Sequence, residues 1–128
     1  MGFKSGKTAS KNTDVTFNGA VTLNGLMGFA LGSDATISSG VLTITHSNHR
    51  VIPEGGSGSD SVDTINGGSF VGQLLILRKM PGTGTQTLND GTGNLNLLAS
   101  RALGNDKDTA VLMWTGAVWI EIAFANNA

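Results

Sequence analysis

Turn-forming residues interrupt this sequence about every 8–12 positions, a spacing that confines regular structure to short extended segments joined by tight reversals. Nineteen of the 128 residues are Gly, and Thr, Ser and Asn are abundant. Gly, Ser and Asn disfavour helices, whereas Val, Ile and Thr fit a pleated strand. No segment carries a helical stripe beyond a single turn between Leu97 and Leu103. The fold class that follows is all-β. With five Phe, two Trp and no Tyr, its one modest core must come from Val, Leu, Ile and Ala.

The chain divides into three stretches. Residues 1–13 are polar, rich in Gly and Lys and without periodicity, which predicts a basic, flexible N-terminal arm. Residues 14–33 hold a short repeat of one hexad, Val15-Thr16-Phe17-Asn18-Gly19-Ala20 and Val21-Thr22-Leu23-Asn24-Gly25-Leu26. Each copy reads as a three-residue strand followed by an Asn-Gly turn. Residues 34–128 form the β domain. There, Ser39-Gly40 is expected to join residues 35–38 and 41–46 as a hairpin. Gly72 to Arg78 reads as a central strand buried on both faces, because Leu74-Leu75-Ile76-Leu77 is apolar without alternation. A second strand-turn-strand unit is expected around residues 89–93, and a tight hairpin around Gly116-Ala117.

Together these segments predict a small antiparallel sandwich, jelly roll or barrel-like domain with an extended arm. Open strand edges must be covered, which favours a symmetric assembly, for which a homotrimer is the expectation. In it, three chains would bring six hexad strands around one axis. Val15, Phe17, Val21 and Leu23 are the candidate interface residues, with Trp114 and Trp119, which are expected to pack as cross-strand neighbours in the core or between subunits.

Charge and composition narrow the function. The net charge of −1 hides an asymmetry: Lys4, Lys7 and Lys11 lie in a stretch with no acid, leaving five basic and nine acidic residues elsewhere. Those three Lys are candidates for docking on an acidic neighbour; without interleaved aromatics they are a poor nucleic-acid signal, and no nucleic-acid partner is expected. No apolar run approaches the roughly 20 residues of a membrane span, and none follows the N-terminal Lys as a secretory signal requires. A soluble, unexported product is the expectation. Cysteine is absent, so neither a disulfide nor a thiolate metal site is available.

No chemistry-bearing motif emerges. His46 and His49, with Glu54, Asp60 and Asp63 nearby, are the right residue types for a metal, but residues three apart on a strand face opposite ways, so a structural role is expected. Neither Gly-rich stretch matches a phosphate cradle, and no G-x-S-x-G elbow raises a Ser. Glu54 and Glu121 could meet in space as a hydrolytic carboxylate pair, but with only two Glu in the chain such a pair is not expected. The chain reads as non-enzymatic, without cofactor or metal.

Seven motifs occur in order across residues 34–124: Ser39-Gly40-Val41-Leu42-Thr43-Ile44-Thr45, His49-Arg50-Val51, Glu54-Gly55, Asp63-Thr64-Ile65-Asn66-Gly67-Gly68, Gly72-Gln73-Leu74-Leu75-Ile76-Leu77-Arg78, Asp90-Gly91-Thr92-Gly93-Asn94-Leu95 and Trp119-Ile120-Glu121. This run resembles a structural module of tailed-bacteriophage virions, found in capsid decoration (cement) proteins and in tail or appendage proteins. The resemblance implies a virion structural protein made in the host cytoplasm. A decoration protein on the capsid surface, a trimer bound to the major capsid protein, is the first expectation. A tail-fibre or receptor-binding appendage, meeting a host-surface glycan, is the alternative.

Overall fold

The computed structural model describes residues 15–127. Its regular structure is all β, with no helix among the described residues. The strands are β1 (Ala35–Thr36), β2 (Val41–Thr43), β3 (Asn48–Ile52), β4 (Asp60–Val62), β5 (Thr64–Asn66), β6 (Leu74–Lys79), β7 (Gln86–Leu88), β8 (Leu95–Asn96), β9 (Arg101–Leu103), β10 (Thr109–Trp114) and β11 (Trp119–Ala125). One sheet has the order β1-β3-β6-β10-β11-β8, a second β4-β7-β9, and a third β2-β5.

The chain passes between these sheets in successive circuits, each starting from the six-stranded sheet. β1 leads to β2; β3 leads through β4 to β5; β6 leads through β7 to β8. Strands met at the same stage of successive circuits pair in parallel: β1 with β3, β3 with β6, β2 with β5 and β4 with β7. The stacking is therefore solenoid-like. The final strands reverse it, with β9 antiparallel to β7, and β10 antiparallel to both β6 and β11.

The expected antiparallel arrangement is thus corrected. Among the described strands five pairings are parallel, including β8 with β11, and three are antiparallel. Ser39 (φ 49°) and Gly40 (φ 78°) do form a two-residue turn, with Ser38 and Val41 exchanging backbone bonds of 2.9 Å. Consecutive positive φ values are the signature of a hairpin turn. Here pairing stops after that one bridge, and the chain passes to another sheet. β7 and β8 likewise lie in different sheets rather than in a second hairpin. Local sequence marks where the chain bends, but not which edge receives the next strand. The C-terminal hairpin forms as expected, with Trp114 opposite Trp119 and Thr115 N–H donating to the Val118 carbonyl at 2.9 Å.

β6 is interior to the largest sheet, between β3 and β10. Leu75 and Leu77 are fully buried, while Leu74 and Ile76 on the other face are only half-buried, so the expected two-sided burial is complete on one side. Ile37, Leu42, Val51, Val62, Ile65, Leu88, Leu103, Leu112 and Trp119 complete the core from all three sheets.

Cross-circuit hydrogen bonds hold the corner at residues 63–65. Asn94 accepts from the Ile65 N–H through Oδ1 (2.9 Å) and donates through Nδ2 to the Ile65 carbonyl (2.7 Å). In a parallel ladder one residue presents both backbone groups to the same neighbour, and the Asn94 amide supplies what a strand would. Trp119 Nε1 donates to the same carbonyl at 3.1 Å, and Asn89 Nδ2 donates to Asp63 Oδ1 at 2.8 Å. A Cβ at Gly93 would collide with the Asp63 carbonyl and Thr64 Oγ1, so this close approach requires glycine.

Asn94→Ala removes both bonds from Ile65 and is expected to destabilise the domain by about 2 kcal/mol. Thermal unfolding followed by far-UV circular dichroism measures it; an unchanged Tm would refute the role of this corner.

Candidate functional site

His49 is buried at 1% exposure, and all its polar capacity is committed. Nε2 accepts from the backbone N–H groups of Thr45 (3.0 Å) and His46 (2.9 Å). Nδ1 therefore carries the proton and donates to the Ser33 carbonyl at 2.7 Å. The ring fastens the turn before β3 to the segment entering β1. Gly32 makes room for it, since a Cβ there would lie 2.6 Å from His49 Cε1 and 2.8 Å from His46 Nδ1. Arg50 and Asp34 add an ion pair of 2.8 Å between the same elements.

The other metal-type residues are committed separately. Asp60 accepts from the N–H groups of Glu54 and Ser61, Asp63 from Asn89, and Glu54 from the N–H of Ser39. Among the described residues no three His, Asp or Glu converge as ligands would. Glu121 is held by Arg101, so the two carboxylates have different partners and do not form a pair.

Two anionic groups are nonetheless tuned by their surroundings. Arg101 grips Glu121 through two bonds of 2.7 and 2.8 Å and lies over the Phe124 ring, 5.1 Å from its centre. Those hydrogen bonds, against the opposing effect of burial, hold the Glu121 carboxyl below its usual range. Burial pushes Asp108 upward, but N–H donors from Asn127, Asn105 and Gly104, together with the Lys79 charge, outweigh it and hold this carboxyl low as well. Both groups brace the closing strands.

The candidate interface residues fall into two groups. Val15, Phe17, Val21 and Leu23 are 45–61% exposed, and Leu26, Met27, Phe29 and Leu31 extend the apolar series. The chain bends at Asn18-Gly19 and Asn24-Gly25 as the hexads predict, yet no strand forms between residues 15 and 34. Trp119, by contrast, is fully buried and belongs to the chain's own core rather than to a subunit contact. Trp114 packs on it with ring centres 5.2 Å apart, and a Cβ at Gly68 would meet the Trp114 ring at 2.4 Å. Lys4, Lys7 and Lys11 lie outside the described residues.

One concave surface was not foreseen. A cleft of about 320 Å³ lies among Thr45, His46, Ser47, Ser69, Phe70 and Gln73. Gln73 shapes its rim, accepting from the Ser69 N–H at 2.7 Å and donating to the Gly67 carbonyl at 3.0 Å. Phe70 stands 64% exposed in a Gly- and Ser-rich loop. A large aromatic flanked by turn residues was the available sequence signal. Hydroxyls, an imidazole and an amide beside an aromatic wall suit a polar ligand with apolar faces.

A family model described as the phage depolymerase C-terminal beta sandwich domain matches residues 36–120. No curated protein and no solved structure matches the chain.

Because Glu121 and Asp108 have folded pKa values below their unfolded ones, their stabilisation is fully present above the ordinary carboxylate values and is lost as pH falls through the lowered ones. Unfolding midpoints in urea are expected to stay level down to about pH 5 and to drop below about pH 4. Glu121→Gln is expected to lower the midpoint at neutral pH and flatten the acid limb; an acid limb as steep as the parent's would refute the assignment.

Proposed function

The chain belongs to the phage depolymerase C-terminal beta sandwich family, and from that membership we propose that it is a non-catalytic subunit of a bacteriophage tail appendage, assembled as a homotrimer. The observation that carries the reading is the family match over residues 36–120, whose description names a depolymerase domain rather than a shell component. It favours the tail over the capsid surface first expected from the sequence. The exposed apolar series from Val15 to Leu31 supports self-assembly, because eight large apolar side chains left in water within one segment gain by burial against a partner. Three copies would pair the hexads around one axis and leave the β domains outward. The cleft beside Phe70 and His46 is then free to meet a host-surface glycan, stacking a sugar face on the aromatic ring.

Imaging intact virions with the chain labelled by gold-conjugated antibody tests the location. Label at the tail is expected, and label spread over the head would replace this reading with capsid decoration. Light scattering tests the assembly: the parent chain is expected at three times the protomer mass, and Val21→Asp combined with Leu23→Asp at the protomer mass. A parent that remains monomeric would sink the trimer.

A further inference from the structure

Three Asn-Gly pairs occur in the chain, in contrasting surroundings. Asn18-Gly19 and Asn24-Gly25 close the two hexads. Both Asn are exposed, neither pair lies in a strand, and a Cβ at Gly19 or Gly25 would meet nothing within 4 Å. Asn66-Gly67 ends β5 and is exposed as well, so the contrast lies in the backbone. There Asn66 is in register with Thr43, and its carbonyl accepts from the Ile44 N–H at 2.9 Å. Gly67 takes φ 119°, its carbonyl accepts from Gln73 at 3.0 Å, and a Cβ on it would lie 2.6 Å from Ile44.

We infer that Asn18 and Asn24 are sites of spontaneous deamidation, and that the fold shields Asn66 from the same reaction. The backbone nitrogen of the following Gly, once it loses its proton to hydroxide, attacks the Asn side-chain carbonyl carbon. A nitrogen–carbon bond closes a five-membered succinimide, and the side-chain nitrogen leaves as ammonia. Water then opens the ring at either carbonyl, yielding aspartate or isoaspartate. The net change is one amide and one water to one carboxylate and one ammonium, with no redox partner.

Closure needs the peptide nitrogen to swing onto the side chain, and glycine, lacking Cβ, hinders that motion least. The hexad pairs have both requirements: no ladder holds their backbone, and no neighbour stands in the way. At Asn66 the ladder, the bonded Gly67 carbonyl and the Ile44 contact fix the same torsions.

Each event puts a negative charge among Val15, Phe17, Val21 and Leu23, and an isoaspartate also lengthens the backbone by one methylene. The spacing that aligns those apolar side chains is then lost. Unassembled chains thus carry a clock that ends their competence to assemble. This last consequence rests on the proposed trimer; the chemistry does not.

The test incubates the full chain, and the Val21→Asp, Leu23→Asp variant whose segment stays uncovered, in mildly alkaline and mildly acidic buffer. Peptide mapping by tandem mass spectrometry with electron-transfer fragmentation locates aspartate and isoaspartate. In the variant, Asn18 and Asn24 are expected to convert at least about tenfold faster than Asn66, the factor imposed by an added barrier of about 1.4 kcal/mol. Conversion is expected to accelerate in the alkaline buffer. Comparable rates at all three sites, or no conversion at Asn18 and Asn24, would overturn the inference. Parent chain aged at a dilution that keeps it unassembled, beside an Asn18→Gln, Asn24→Gln variant, is then concentrated, and light scattering reads the consequence. Loss of trimer in the parent alone supports the clock, and an intact trimer after full conversion overturns it. If fresh parent never trimerises, the proposed assembly fails, while the peptide rates still decide the chemistry.

Discussion

The backbone of Ile65 carries the junction between successive circuits of this chain. On one side its strand, β5, pairs with β2 of the circuit before. On the other there is no strand; the Asn94 side chain takes both backbone groups, and Trp119 shares the carbonyl. A buried peptide group left without partners costs a large part of a small domain's stability, so this substitution decides whether the third circuit can seat at all. Gly93 must lie against residues 63 and 64 for Asn94 to reach, and Gly68 must let Trp114 approach for the closing hairpin to pack. Several residues that make the sequence resemble a phage module, Asn94, Gly93 and Gly68 among them, therefore serve the corners of the fold.

That accounting redistributes function. The motif-rich face is internal architecture, whereas the features left for contact with other molecules are an extended apolar segment before β1 and a cleft beside Phe70. His49 links the two regions mechanically, since one buried ring holds both the turn that borders the cleft and the segment that leads to the hexads. Its hydrogen bonds use both ring nitrogens, which removes it from metal chemistry without any change in residue type.

Closure of the domain also depends on charge. Arg101 with Glu121 joins β9 to β11, while Lys79 on β6 is buried at 4% exposure and pairs with Asp106 at 2.7 Å, beside the Asp108 turn. A buried ammonium is tolerated only with such partners, and Lys79 has a second in the Thr83 carbonyl at 2.9 Å. The Lys79–Asp106 pair thus ties the turn before β10 to the parallel stack, alongside the burial of Leu112 and Trp119.

The all-β class, the positions of most strands, the Ser39-Gly40 turn and the Trp114–Trp119 hairpin were legible in the sequence, because strand alternation and positive-φ turn residues are local properties that neighbouring residues impose on each other. The parallel order was not, because a turn of two residues looks the same whether the chain folds back on its own strand or crosses to another sheet. Nor could spacing assign Ser33 to His49, Ile65 to Asn94 or Arg101 to Glu121, partners 16 to 29 positions apart that meet only when the circuits stack. What the hexads show is intermediate: their bends follow from Asn-Gly alone, but Val15, Phe17, Val21 and Leu23 form no strand in the single chain, because a strand needs a paired neighbour that local sequence does not specify.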